Sequence, residues 1–135
     1  MPIQISWQQP GRLIHQRFYG TITLTELRNA QQEFFHYLDN GSAPIHAIID
    51  LADARDYPKS VGKIREALVP DETGKTGLVV IVTGSNPIIK FITSAVSQIA
   101  FKNKAFTFCS TLEEAVHYLR SRDRTITVEY IVADQ

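Results

Sequence analysis

The stretch that most restricts the fold is Ile45 to Leu51, IHAIIDL, an uninterrupted and mostly apolar segment closed by Asp50 and Leu51. A strand that is apolar at successive rather than alternate positions has to be covered on both faces, and the interior of a parallel sheet flanked by helices supplies that cover. Leu78 to Val82, LVVIV, repeats the pattern with β-branched residues. The chain therefore reads as α/β, with Ile45–Ile49 as its central strand. The polar segment after Asp50, through Asp53, Asp56, Lys59 and Ser60, is read as a loop at the carboxyl end of the sheet, where open α/β sheets place a ligand or a switch.

The remaining elements follow from local chemistry. Ile3–Trp7 and Arg12–Tyr19 form two strands across a Pro10-Gly11 turn, a hairpin at the start of the chain. Thr23-Leu24-Thr25-Glu26 is a capping box, and Leu24, Leu27, Phe34 and Leu38 recur at helical spacing up to Asn40-Gly41, which gives a helix over about 24 to 39. Val61, Ile64, Ala67 and Leu68 make one stripe of a short second helix before Pro70. Ser85 or Asn86 caps a third helix that begins at Pro87 and runs to about Phe101. Ala105–Phe108 is a further parallel strand, and Ser110-Thr111-Leu112-Glu113-Glu114 caps a last helix with Leu112, Ala115, Val116 and Leu119 on one face. Thr125 to Val132 alternates with period two and is expected to be an added strand, on the edge of its own sheet or against a second copy of the chain. The expectation is one domain over 1–135, with a mixed, mostly parallel sheet and about four helices.

Composition excludes several classes. With 135 residues, 44% of them hydrophobic, the chain is long enough to bury a core. Fourteen Lys plus Arg balance fourteen Asp plus Glu without a basic cluster, so no nucleic-acid or anionic-membrane footprint is present. Pro87–Phe101 is interrupted by Lys90, Thr93, Ser94, Ser97 and Gln98, which argues against membrane insertion. A single cysteine and the lack of a leader pattern make the cytoplasm the expected compartment.

No self-sufficient catalytic motif appears. His15, His36, His46 and His117 lack zinc spacing, and Asp50, Asp53 and Asp56 lack the glycine and terminal glutamate of a calcium loop, so neither metal nor cofactor is expected. Asp50 reads as a turn cap, since no carboxylate follows the first strand to complete a magnesium site. Cys109 precedes a helix start able to lower its pKa, although a small residue at a strand end is the simpler reading.

The order strand, strand, helix, strand, helix, strand, helix, strand, helix, with Ile48-Ile49-Asp50-Leu51 closing the third strand and Ser110-Thr111-Leu112-Glu113-Glu114-Ala115 opening the last helix, resembles the STAS domain and the related SpoIIAA-like proteins, whose fold is likened to lipid-binding Sec14 domains. The likeness covers about residues 3 to 121 and leaves about 125–132 as an extension. It implies a non-enzymatic regulatory or scaffolding domain that binds a protein partner and is switched by phosphorylation or a ligand. By position, Ser60 falls where the family's phosphorylated serine stands, but the family's preceding acidic residue and neighbouring serine are absent from Pro58-Lys59-Ser60-Val61-Gly62. The Sec14 side of the likeness implies a carrier or sensor of a small apolar molecule or lipid as the alternative, with an enzyme third. On either reading the working edge comprises Asp50, Asp53, Asp56, Lys59, Ser85 and Asn86. The third helix adds Ile89, Phe91, Ile92 and Val96, whose apolar arc exceeds one core contact and suits a homodimer face or an apolar groove.

Overall fold

Capping chemistry opens the helices where the sequence places it. A computed structural model of the chain describes residues 3–100 and 106–132, the side chains of 99 and 100 excepted. Thr23 accepts from the Glu26 amide and Glu26 accepts in return from the Thr23 amide, which starts α1 (Leu24–Asp39). Ser60 Oγ accepts from the Lys63 amide at the start of α2 (Val61–Ala67). Asn86 Oδ1 takes the amides of Ile88 and Ile89 at the start of α3 (Pro87–Ala100). Of the two overlapping boxes before α4 (Leu112–Arg122), Thr111 supplies the cap, and Glu114 accepts from the amides of both Ser110 and Thr111. Phe101 and Ala105, expected at the end of the third helix and the start of the following strand, lie outside the described residues.

The strands are β1 (Ile3–Gln9), β2 (Leu13–Thr21), β3 (Ile45–Asp56), β4 (Thr76–Val82) and β5 (Phe106–Cys109), and they lie in one sheet in the order β1-β2-β3-β4-β5. β1 and β2 are antiparallel and every other pairing is parallel. The hairpin turns on Gly11 at φ +74°, a conformation that favours glycine. β3 is central, with Ile45, Ala47 and Ile48 fully buried, as its unbroken apolar pattern requires.

Strands laid side by side in chain order send each crossover over the same face. Accordingly α1, α2 and α3 all cover the face that carries Phe18, Leu51, Val79 and Ile81. The opposite face, with Leu13, Ile48, Val80 and Val82, is covered by Ala115, Val116 and Leu119 of α4 and by Ile126. Trp7 and Tyr37 pack with ring centroids 5.2 Å apart, and Tyr37 donates to the Ile5 carbonyl, which ties α1 to the edge strand β1.

Two expectations change here. The aspartate-bearing segment after Asp50 is not a loop: β3 continues to Asp56 because β2 continues beside it, pairing Tyr19 with Asp53 and Thr21 with Asp56. The segment Thr125 to Val132 is not a strand. Its backbone pairs with side chains instead of a ladder. The Gln9 amide donates to the Thr125 carbonyl and accepts from the Thr127 N–H, while the Gln8 amide donates to the Val132 carbonyl and accepts from the Val132 N–H. The alternating pattern reflects real burial, since Ile126 is buried and Val128 and Ile131 pack on the α4-side core. Truncating Ile126 to Ala should therefore cost about 2–4 kcal/mol in urea unfolding. Truncating the exposed Tyr130 should change stability by no more than about 0.5 kcal/mol.

Candidate functional site

The residues expected to share a working edge are spread over three places. Asp50 is buried on the α4 side of β3, where its carboxylate meets His15 Nε2 at 3.1 Å and accepts from the Ala52 amide. It is thus one half of a buried His–Asp pair rather than a turn cap. Asp53 pairs with Arg17 at 2.9 Å, and Asp56 with Lys59 at 3.3 Å, all exposed or half-exposed. The Ser60 hydroxyl is exposed and engaged as the α2 cap. Only Ser85 and Asn86 sit in a groove of about 310 Å³ at the carboxyl end of the sheet, with Lys90, Phe108, Cys109, Ser110 and Glu114. The strand order offers no reversal, and so no switch-point crevice to gather these groups.

The groove has few groups to offer a ligand. Asn86 and Glu114 are occupied as helix caps, and the Lys90 ammonium stands 5.6 Å from the Phe108 ring centre. Burial, with the Glu114 carboxylate adding to it, pushes the Cys109 thiol up from its ordinary value, against the lowering that a helix start suggested. Among the described residues no group of three or more His, Cys, Asp or Glu could hold a metal ion, and no helix is long and apolar enough to cross a membrane.

At the opposite end of the sheet, Asp123 closes α4 and joins four segments. It accepts from Thr125 Oγ1 and the Thr125 amide, from His46 Nε2 at 2.8 Å and from Arg12 Nη2 at 3.1 Å. His46 Nδ1 accepts from the Leu78 amide at 2.9 Å, so the ring proton is on Nε2 and points at the carboxylate. Gly77 makes this possible, because a Cβ there would stand 2.6 Å from His46 Nδ1. The Thr125 hydroxyl foremost, then His46, hold the Asp123 carboxyl well below the ordinary value of 3.8. A depressed carboxylate contributes stability above its unfolded pKa and loses it as pH falls through the folded one. Asp123→Asn should lower the urea midpoint at neutral pH, and the gap to the parent protein should narrow steadily as pH falls below about 5.

An apolar concavity lies apart from these places. Between α1, α3, Leu68 at the end of α2 and the sheet is an apolar cavity of about 120 Å³, lined by Phe18, Ala30, Phe34, Ile49, Ile81 and Val96 among others. A second of about 80 Å³ adjoins it, with Ile22, Ile64, Ile89 and Ile92 in its lining and Phe18, Leu27, Leu51, Thr93 and Val96 common to both. Their origin is geometric. α2 has seven residues and so is about 10 Å long, too short to fill the space between its longer neighbours. At the surface end, Gln31 clasps Val69 with both amide atoms, donating to its carbonyl and accepting from its N–H.

The apolar arc of α3 thereby divides. Ile89 and Ile92 are buried and Val96 is half-buried, all three against the cavities, whereas Phe91 is 72% exposed and Ile88 55% exposed on the outside. Sequence reasoning grouped these positions without separating the two faces. It offered an apolar groove on this helix without the α1 and sheet residues that share in it, and it missed the His15–Asp50 pair and the Asp123 clamp, whose only sequence signal is a polar residue inside an otherwise apolar strand or just past a helix end. Comparison with protein-family models, with curated proteins and with solved structures gives no match for this chain.

Proposed function

We propose that this chain is a non-enzymatic binding domain that senses or carries a small apolar molecule, the role implied by the Sec14 side of its resemblance. The observation that carries this reading is the pair of adjoining apolar cavities beneath α1–α3. Unfilled volume forfeits packing contacts, so an apolar occupant of the right size would gain them from walls that are already in place. The volume also limits the ligand: an apolar cavity of roughly 150 Å³ accommodates benzene, so about 120 Å³ with its 80 Å³ annexe suits one ring or a short chain rather than a two-tailed lipid. Titration of ¹⁵N-labelled protein with toluene should shift the amides of Leu27, Ala30 and Val96, and Val96→Phe, which fills the shared wall, should abolish the shifts. If a panel of small apolar molecules up to saturation leaves those amides unmoved, the reading falls.

A second reading has its own observation. Ile88 and Phe91 form an exposed apolar pair on the outer side of α3, as a STAS-like regulatory domain would use to dock a protein partner or a second copy of itself. If a second copy docks there, Ile88→Ser with Phe91→Ser should convert a dimer to a monomer in sedimentation, with little effect on the thermal midpoint. A parent protein that sediments as a monomer at all concentrations removes the homodimer version.

A further inference from the structure

We infer that the molecule taken up in the larger cavity is neutral and carries one hydroxyl or carbonyl group, which hydrogen-bonds to Ser97; this rests on the apolar-ligand reading above and specifies its chemistry.

Ser97 lies on the inner face of α3 in the wall of the larger cavity and is only 4% exposed. No hydrogen bond joins its hydroxyl to another described residue, and since no buried side-chain oxygen or nitrogen among the described residues lacks a partner, this hydroxyl is open to the cavity. The other donors in the same wall are engaged: the Gln16 amide donates to the Ala30 carbonyl at 2.9 Å, and the Thr93 hydroxyl to the Ile89 carbonyl at 2.7 Å. A lone hydroxyl opening onto an otherwise apolar wall keeps its donor and acceptor capacity free for an occupant of the cavity. A ligand oxygen placed against Ser97 would take up that capacity.

The charge of the ligand follows from the same wall. It contains one ionisable side chain, Asp71, and no Lys or Arg among the described residues. The Asp71 carboxylate is buried and held by the Thr73 amide, the Thr73 hydroxyl and the Thr76 hydroxyl. A carboxylate ligand would meet that charge with no cation to offset it. A fatty acid anion is therefore a poor occupant, and a small phenol, alcohol or ketone a good one.

Phenol and toluene have nearly the same shape and differ in the group that Ser97 would contact, so their affinities form a cycle with Ser97→Ala. In the parent protein, read by amide shifts or calorimetry, the toluene-to-phenol ratio of dissociation constants should be about five- to tenfold larger than in Ser97→Ala. Benzoate at neutral pH should bind at least about tenfold more weakly than phenol. A ratio unchanged by Ser97→Ala, with both compounds still bound, overturns the role of Ser97 and leaves the apolar-ligand reading standing. Benzoate binding as tightly as phenol overturns the neutrality of the ligand. If neither phenol nor toluene binds the parent protein, the apolar-ligand reading and this inference fail together.

Discussion

Four parallel strands laid side by side in chain order commit every crossover helix to one face of the sheet, and most of this molecule follows from that constraint. Helices need about 8–10 Å of width each, whereas strands need a little under 5 Å. Three helices are therefore crowded over the width of a few strands, and the middle one, α2, is also the shortest. It cannot lie down between α1 and α3 and fill the space beneath it. The apolar cavities are the residue of that mismatch, walled by the three helices and floored by Phe18, Leu51 and Ile81. The opposite face has the reverse problem. Among the described helices only α4, which follows β5 and is free of the crossover rule, reaches it, and the tail from Thr125 completes the cover with Ile126.

Glutamine side chains supply the backbone pairing that regular structure does not. Gln8 and Gln9 each offer a carbonyl and an NH₂ to the tail, and Gln31 does the same for Val69. A primary amide presents the same donor and acceptor as a peptide unit, so it can satisfy a segment's N–H and C=O at a point where no strand is available. This explains how a tail with strand-like alternation stays ordered without entering the sheet. It also fixes the loop after α2 against α1 beside the larger cavity, whose lining includes Gln31 and Leu68.

Helix α3 is where the two functional readings meet. One side of it presents Ile89, Ile92, Val96 and Ser97 to the cavities, and the other presents Ile88 and Phe91 to the exterior. Its breadth of apolar surface was legible from the spacing of its residues. Which positions face inward was not, because that depends on how the helix is rotated over the sheet, and rotation is set in part by Phe18, Leu51 and Ile64, which are distant in sequence. The same limit applies to Asp50. Its place at the end of an apolar run suggested a turn, but β2 extends alongside and keeps β3 extended to Asp56.

What the sequence determined by itself is the local order. The capping roles of Thr23, Ser60, Asn86 and Thr111, the β-branched runs of the buried strands and the α/β class with an antiparallel start all arise from interactions among residues a few positions apart. Tertiary structure alone decided the rest. His15 meets Asp50 across 35 positions, His46 meets Asp123 across 77 and Arg12 meets Asp123 across 111. The cavity belongs to no segment at all, being the space that three helices and a sheet of unequal widths leave between them. Such features are set by which distant surfaces are brought into contact, and no local pattern of residue types encodes that.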